Sequence, residues 1–218
     1  MRLYGYWRSS SAWRVRIALA YKDLACEIVP VHLVRGGGEQ HLPAFLRHNP
    51  MGQVPVLELD GGSGPWYLTQ SMAILEHLEE IHPEPPLLPA DRVGRARARQ
   101  LAEIVNSGTQ PLQNLKLQQT LRAAGTDPAP LVRGFIATGL SALETLSTST
   151  AGRFLVGDQP TFADVFLVPQ LFAARRMQLD LAAFPTLLRV ESTCAALPAF
   201  VAAHPDAQPD REASPPAP

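Results

Sequence analysis

The sequence predicts two domains, an α/β domain followed by an all-α domain. Short β-like runs alternate with helical patterns in residues 1–83, a proline-rich linker occupies residues 84–91, and apolar residues recur at helical spacing in residues 92–204. A chain of 218 residues is long enough to bury a substantial core in such an arrangement. Residues 205–218 are rich in Pro, Ala and Asp, and we expect them to form a flexible tail.

The N-terminal domain follows the order strand, helix, strand, loop, strand, strand, helix. Aromatic and β-branched residues mark its strands, and apolar residues three and four positions apart mark its helices. The predicted strands cover Leu3–Trp7, Cys26–Leu33, Val54–Leu59 and Trp66–Leu68, and the predicted helices cover Ser10–Lys22 and Ser71–Ile81. The glycine-rich stretch Asp60–Gly64 is typical of a hairpin turn.

The C-terminal domain contains three long helical patterns. They cover Val93–Asn106, Leu131–Leu146 and Phe162–Arg176, each with apolar residues at helical spacing. Thr161 precedes the third pattern and Asp164 follows three positions later, which resembles a capping box with Asp in place of Glu. We interpret this pair as a structural helix start.

Composition excludes several classes of partner. The formal net charge is -1 and the 19 Lys and Arg residues are spread along the chain, so nothing indicates binding to nucleic acid or to an anionic membrane. Cys26 and Cys194 lie far apart without metal-ligand spacing, which favours a reducing compartment and predicts neither a disulfide scaffold nor a metal site. No apolar run suits a signal peptide or a membrane span, and we expect a cytoplasmic protein.

Three consecutive hydroxyl side chains, Ser9, Ser10 and Ser11, stand where the first strand meets the first helix. A helix N-terminus has unpaired backbone N–H groups and the positive end of the helix dipole, so it attracts a thiolate, carboxylate or phosphate. Serine is also a preferred N-cap residue. Taken alone, the run is therefore more simply explained as a structural cap.

A proline lies inside a β-like run at Val54-Pro55-Val56, after the loop Asn49–Gln53. Proline in a sheet is normally confined to an edge or to a strand start. The position is consistent with a turn that brings backbone to a ligand, sometimes with a cis bond, and with a simple strand entry. Spacing alone leaves both interpretations open.

Five motifs, in order along nearly the whole chain, resemble the zeta class of the glutathione transferases, which includes the maleylacetoacetate and maleylpyruvate isomerases. They are Arg8-Ser9-Ser10 with Trp13-Arg14-Val15-Arg16, Asn49-Pro50-Met51-Gly52-Gln53-Val54-Pro55, Gln70-Ser71-Met72-Ala73-Ile74, Gln110-Pro111-Leu112-Gln113-Asn114, and Val156-Gly157-Asp158 with Asp164 and Val168-Pro169-Gln170. The resemblance implies the glutathione transferase fold: an α/β thioredoxin-like N-terminal domain and an all-α C-terminal domain. It also implies a cis bond before Pro55, glutathione as cofactor, and a homodimer.

The resemblance assigns part of the glutathione site to the first half of the chain. Ser9 matches the hydroxyl that stabilises the glutathione thiolate, with Ser10 beside it as a second donor and Ser11 completing the run. Gln40 matches a side chain that reaches the glycyl end of the tripeptide. Val54 matches the residue whose backbone pairs with the cysteinyl part.

The remaining glutathione contacts implied by the resemblance lie further along the chain. Gln70 and Ser71 match the pair that holds the γ-glutamyl end. Ser71 also begins a predicted helix, where a carboxylate is favoured. Gln110 and Asn114 match residues at the edge of the site.

The family's reaction is a cis–trans isomerisation of a small dicarboxylic or oxo acid, in which a thiolate adds to a conjugated double bond and is expelled after rotation. The substrate carboxylates require cations, and Arg suits them because its planar fork can donate two hydrogen bonds. The candidates for this role are Arg8 and Arg176, with Arg175 as the alternative to its neighbour Arg176. Together with Ser9 and Ser10, Arg8 and Arg176 form the set of catalytic residues that the resemblance implies. A solvated surface charge is the alternative for each arginine.

This chain departs from the family pattern in three places. Ser11 stands where many zeta sequences have Cys, Lys116 stands where the maleylpyruvate branch tends to have Arg, and the hairpin at residues 61–65 is longer than usual. Two other functions stay open. One is a glutathione transferase or glutathione-dependent dehalogenase of α-halo acids, and the other is a non-catalytic interaction module with the same fold.

Overall fold

The computed structural model describes residues 1–211. Two compact units make up the chain: an N-terminal unit of residues 1–85 together with the chain from Pro198, and a helical unit of residues 86–197. The N-terminal unit combines a sheet with helices, whereas the helical unit contains α-, π- and 3-10 helices and one isolated β-bridge in the part described. The predicted α/β domain and all-α domain are both present.

A mixed four-stranded sheet forms the centre of the N-terminal unit. Its strands are β1 Arg2–Gly5, β2 Glu27–Pro30, β3 Val56–Asp60 and β4 Pro65–Thr69, in the spatial order β2-β1-β3-β4. β1 runs parallel to β2 and antiparallel to β3, and β3 pairs antiparallel with β4. Leu3 and Leu57 lie opposite each other on the two central strands and are fully buried.

The strands differ from the prediction at their ends. β1 stops at Gly5 because the Tyr6 carbonyl accepts a hydrogen bond from Ser9 N at 2.9 Å and turns the chain toward the first helix. β2 pairs with β1 alone and therefore ends at about the same level of the sheet. β3 begins at Val56 because Pro55 has no N–H to donate to a neighbouring strand.

Three helices of the N-terminal unit lie along the chain between and after these strands. They are α1 Ser10–Tyr21, α2 Pro43–Leu46 and α3 Ser71–Ile81, with short 3-10 turns at Arg35–Gly37 and Glu39–His41. α1 packs against α3, where Ile17 and Ile74 are fully buried. α2 was not predicted, since a four-residue helix has no hydrophobic period to detect.

The helical unit contains α4 Arg92–Glu103, α5 Leu115–Ala123, α6 Ala129–Ser147, α7 Phe162–Arg176 and α8 Pro185–Ala195. α7 has the predicted ends and is the most buried helix of this unit. α4 ends three residues before the predicted Asn106 because the chain widens into a π-helical turn, Ile104–Thr109, followed by a 3-10 turn, Gln110–Gln113. α5 and α8 were not predicted.

Asp164 confirms the predicted capping box at the start of α7. Its Oδ2 accepts hydrogen bonds from Thr161 N at 2.7 Å and from Thr161 Oγ1 at 2.9 Å, and its Oδ1 accepts one from Leu155 N at 2.8 Å. Burial raises the pKa of the Asp164 carboxyl to about 6, although these donors oppose the shift. Its role is structural, as interpreted from the sequence.

The chain after residue 197 differs from the expected boundaries. Helix α9, Pro198–Ala203, packs on α1 and thus belongs with the N-terminal unit, not with the helical domain expected to extend to residue 204. Of the expected tail at residues 205–218, the part up to Arg211 contains a 3-10 turn and a buried Gln208, whose Nε2 donates to Ala202 O and to His204 O at 3.0 Å each. Residues 212–218 lie outside the described residues.

Two absences hold for residues 1–211. No helix there combines the length and apolar character needed to cross a bilayer, and no three His, Cys, Asp or Glu side chains lie close enough together to hold a metal ion.

Candidate active site

Ser9 is the N-cap residue of α1. Its backbone is extended, with φ −69° and ψ 118°, and its Oγ accepts a hydrogen bond from Ala12 N at 3.3 Å. The hydroxyl hydrogen has no acceptor within residues 1–211. Ser9 can therefore donate to a bound anion through its hydrogen while its oxygen caps the helix.

Ser10 and Ser11 are the first two residues of α1 and are half-buried. Their backbone N–H groups have no acceptor among the groups that the structure describes. Together with the Ser9 hydroxyl they place three unpaired donors at the positive end of the helix dipole. The end of α1 thus has the donors that an anion requires.

Arg8 lies directly before this N-cap and is half-buried. Its guanidinium carbon is 5.4 Å from the centroid of the Trp7 ring, a cation–π arrangement. Stacking on Trp7 uses the flat face of the guanidinium, so the N–H groups along its edge can still donate hydrogen bonds. A cation is therefore adjacent in sequence to the proposed anion donors.

The Val54–Pro55 peptide bond is cis, which confirms the expectation from the resemblance. The backbone N–H and C=O of Val54 have no hydrogen-bond partner in the described part of the chain. The preceding loop is fixed by Asn49, whose Nδ2 donates to Gln53 O at 2.7 Å and whose Oδ1 accepts from Met51 N at 3.1 Å. Val54 thus follows a fixed loop and has one free backbone donor and one free acceptor, with which an extended peptide could pair.

Gln70 precedes α3 with φ 69° and ψ 116°, a left-handed conformation that is strained for a residue with a side chain. Such strain costs about 1–3 kcal/mol and is found mainly at functional sites. The Gln70 side chain is exposed, and its Nε2 lies 3.7 Å from Met51 Sδ.

Ser71 is the first residue of α3 and is 3% exposed. Its Oγ accepts a hydrogen bond from Nη1 of Arg14 at 3.2 Å, and Arg14 is a fully buried residue of α1. The same contact joins the N-terminus of α3 to the helix that begins at Ser10. It also places a guanidinium charge beside the residue assigned to the γ-glutamyl carboxylate.

Gln40 is 6% exposed, in the turn before α2. Its Nε2 donates to Leu33 O at 3.3 Å and lies 3.1 Å from His41 Nε2, whereas its Oε1 is buried without a donor in residues 1–211. Gly38 makes room for this amide, because a Cβ at Gly38 would lie 2.4 Å from Gln40 Nε2. The unpaired atom of the Gln40 amide is its oxygen, whereas a carboxylate requires a donor. A contact of Gln40 with a glycyl carboxylate therefore stays a prediction, and it requires the amide to rotate.

Gln110 and Asn114 lie in the helical unit, at the two ends of one short segment, and both are half-buried. The segment is fixed by Gln113 and the fully buried Gln170 of α7, whose amides exchange two hydrogen bonds of 2.9 and 3.0 Å. Asn114 is the N-cap residue of α5 but its side chain does not cap the helix.

Arg175 and Arg176 end α7, and both side chains are exposed. Arg175 forms a two-point ion pair with Glu191 of α8, which raises the pKa of Arg175. Arg175 is thus already bound to a carboxylate of its own unit, and a contact of Arg176 with a substrate carboxylate stays a prediction.

Arg14 and Arg16 were not identified as functional candidates from the sequence. Every residue of α1 from Ala12 to Leu19 is buried, and these two are the charged ones among them. A cation inside an otherwise apolar helical run requires a buried partner, and this pattern was visible in the sequence. Arg16 contacts the loop that precedes Ser9.

Family models and known relatives match this architecture. Residues 3–86 match the glutathione S-transferase N-terminal domain, and residues 129–216 match the glutathione S-transferase C-terminal domain. A glutathione S-transferase zeta class protein of Euphorbia esula is 46% identical over 96% of this chain and 92% of that protein. The chain belongs to the zeta class of the glutathione transferases.

Solved zeta-class structures are similar over almost the whole chain. A maleylacetoacetate isomerase from Anaeromyxobacter dehalogenans 2CP-1, with glutathione bound in its active site, is 58% identical with a TM-score of 0.89, covering 96% of each chain. A bacterial zeta-class maleylpyruvate isomerase in its holo form is 42% identical with a TM-score of 0.91, covering 97% of this chain and 100% of that one.

Proposed function

We propose that this zeta-class chain is a glutathione-dependent cis–trans isomerase that converts maleylacetoacetate or maleylpyruvate to its fumaryl isomer. The observation that carries the proposal is the end of α1, where the Ser9 hydroxyl and two backbone N–H groups of Ser10 and Ser11 are unpaired donors. A relative at 58% identity is a maleylacetoacetate isomerase with glutathione bound.

The unpaired groups of the N-terminal unit suit a tripeptide thiol. Val54 offers a backbone donor and acceptor of the kind that a peptide pairs with, and Ser71 begins a helix that favours a carboxylate. Gln70 adds an exposed amide beside Ser71. Ser9, Ser10, Ser11, Gln40, Val54, Gln70 and Ser71 would hold glutathione, with Gln110 and Asn114 at the edge.

The end of α1 stabilises negative charge on sulfur. A free thiol has a pKa of about 8.5, and a helix N-terminus with hydroxyl donors lowers that value, so more thiolate exists at neutral pH. When glutathione is bound, the chemistry it supplies is reversible addition of its thiolate to the conjugated double bond, with rotation about the bond made single. The Ser9 hydroxyl would donate a hydrogen bond to that sulfur and so would stabilise its negative charge both before addition and after expulsion.

Substrate carboxylates require cations, and the proposal assigns them to Arg8 and Arg176. Arg8 adjoins Ser9 in the chain, and stacking on Trp7 limits the positions its fork can take. Arg176 is the candidate that the family resemblance indicates, and its neighbour Arg175 is bound to Glu191. Two-point binding of a carboxylate orients the acid without contributing a proton to the reaction.

The test follows two quantities in one reaction. Purified protein is incubated with glutathione and, in separate reactions, maleylacetoacetate, maleylpyruvate and an α-halo acid, and both the fumaryl product and total free glutathione are measured. We expect cis–trans conversion with glutathione unchanged, and the faster acid identifies the branch. Consumption of glutathione with halide release and no isomerisation would indicate a dehalogenase, and absence of glutathione binding would indicate a non-catalytic module.

We also propose that the protein is a cytoplasmic homodimer. Support for the dimer comes from apolar side chains at the surface of the N-terminal unit, where Met51 is 65% exposed and Trp66 is 39% exposed. Met51 touches Gln70, so an interface there would adjoin the glutathione site.

A further inference from the structure

The loop between β1 and α1 is bound at both backbone polar atoms of one residue, Trp7. Trp7 N donates a hydrogen bond to Asp210 Oδ2 at 2.9 Å, and Trp7 O accepts one from Arg16 Nη2 at 2.9 Å. Arg16 Nη1 also approaches Tyr6 O at 3.4 Å, the same carbonyl that accepts from Ser9 N. A carboxylate and a guanidinium therefore fix the residues that lead to the N-cap.

Arg16 is 6% exposed, and burial lowers its pKa to about 10 while the charge of Asp210 opposes the shift. The guanidinium remains charged at neutral pH and is compensated by the carbonyls of Tyr6, Trp7 and Ala203, the last at 3.2 Å from Nε. Burying a charge is unfavourable unless its donors are satisfied. An apolar side chain would pack at lower cost but would remove the donors that Arg16 supplies to the carbonyls of Trp7 and Ala203.

Asp210 reaches the loop from the last segment of the described chain. α9 packs on α1, and the ring of His204 meets the Trp13 ring at 5.1 Å between centroids. Gln208 then ties the segment back to α9. The carboxylate that holds Trp7 is thus carried by a structured C-terminal segment.

We propose that Arg16 and Asp210 are positioning residues that hold the β1–α1 loop and so place the Ser9 hydroxyl against the sulfur of bound glutathione. The proposal rests on the proposed function of Ser9. Hydrogen bonds with one charged partner are stronger than neutral ones, and displacement of a reacting group by about 1 Å costs up to about a hundredfold in rate. The C-terminal segment acts on the chemistry through the backbone of Trp7.

The test separates position from charge with two substitutions of one residue. Asp210→Ala removes the acceptor of Trp7 N, whereas Asp210→Asn retains an acceptor oxygen and removes the charge. The pKa of enzyme-bound glutathione is measured by titrating its thiolate ultraviolet absorbance, together with the pH profile of kcat/KM. We expect Asp210→Ala to raise the thiol pKa by about one unit, which is a tenfold smaller thiolate fraction at neutral pH, and Asp210→Asn to leave it near the wild-type value.

The matched control is Asp206→Ala, which removes another carboxylate from the same segment. Asp206 pairs with Arg211 at 3.1 Å, so its loss should leave the thiol pKa unchanged. Arg16→Lys keeps a charge but loses the fork that spans the carbonyls, and should raise the thiol pKa as Asp210→Ala does.

Two results would overturn the proposal. If Asp210 acted through its charge, Asp210→Ala and Asp210→Asn would both lower the thiol pKa. If its role were structural alone, Asp210→Ala would lower the melting temperature with the thiol pKa unchanged. A wild-type protein that binds glutathione without lowering its thiol pKa would instead contradict the proposed function itself.

Discussion

At the scale of single residues, the site depends on which atoms remain unpaired after folding. The Ser9 oxygen accepts from Ala12 N, so its hydrogen is the part left for a ligand, and the Ser71 oxygen accepts from Arg14 in the same way. Each serine hydroxyl has one hydrogen to donate. In both serines the oxygen accepts a hydrogen bond within the protein, and the hydroxyl hydrogen is the donor that we propose binds an anion.

Replacement of Ser9 tests the first of these donors. Ser9→Gly removes the hydroxyl but keeps a residue that caps a helix nearly as well, so stability should change by a few tenths of a kcal/mol. We expect isomerisation at neutral pH to fall about tenfold or more and to recover partly at alkaline pH, where the thiol ionises without help. Ser9→Ala should show the same kinetic loss with about 1 kcal/mol of destabilisation. An unchanged rate at neutral pH would move the role to Ser10 or Ser11.

Replacement of the arginines tests the carboxylate assignment. Arg8→Met and Arg176→Met should each raise KM for the acid while the Kd for glutathione stays close to the wild-type value. The reason is that each arginine charge is proposed to contact the acid and not glutathione. Arg175→Met is the matched control, since Arg175 is bound to Glu191 on the helix surface. Equal losses for both ligands would indicate a folding defect, and a raised KM in Arg175→Met would reverse the choice between the two neighbours.

At the scale of elements, a π-helical turn shapes the segment that carries Gln110. Thr109 ends the turn, its Oγ1 donates to Ile104 O at 3.0 Å, and it faces Gly139 of α6. A Cβ at Gly139 would lie 2.1 Å from Thr109 Oγ1, so the close approach depends on glycine. Such turns are frequent at functional sites.

Two glycines of α6 provide a matched pair for this contact. Gly139→Ala should destabilise the protein by about 1–3 kcal/mol, because neither the short Thr109 side chain nor the helix can move away easily. Gly134→Ala, in the same helix with open space around its Cβ position, should instead stabilise it by up to about 1 kcal/mol. Denaturant unfolding measures both values. If the two substitutions had equal effects, the close packing of Thr109 would not matter for stability.

The elements also show what could be predicted from the sequence. α7 and α3 were predicted at their observed ends, because both have long apolar periods with polar residues or turns on either side. The π-helical turn could not be predicted, since apolar spacing does not show where a helix widens and the turn packs against Gly139, about thirty residues away in the chain. The residues of α9 were placed in the helical domain, because the sequence does not show that they pack on α1.

At the scale of the whole molecule, contacts between residues distant in sequence also limit what could be predicted of the site. Ser9, Val54 and Ser71 were placed by motifs, and the unpaired donors there agree with the roles assigned to them. The contacts of Arg14, Arg16 and Asp210 could not be predicted, because they join residues distant in sequence, although two cations in the apolar run of α1 already indicated buried partners. Motifs therefore point to the residues proposed to bind glutathione, and the structure adds the buried residues that contact them or the loop before them.

The oligomeric state is the remaining property of the whole molecule to be tested. We expect light scattering after gel filtration to give twice the chain mass of 23.7 kDa. Met51→Asp should shift that mass toward a single chain and weaken glutathione binding, because Met51 is 65% exposed and contacts Gln70. Val201→Asp, at a position of similar exposure on α9, is the control and should leave both properties unchanged. A wild-type protein with the mass of one chain would contradict the dimer, whereas a stable dimer of Met51→Asp would place the interface elsewhere, since a buried Asp at a two-fold contact repels its own copy.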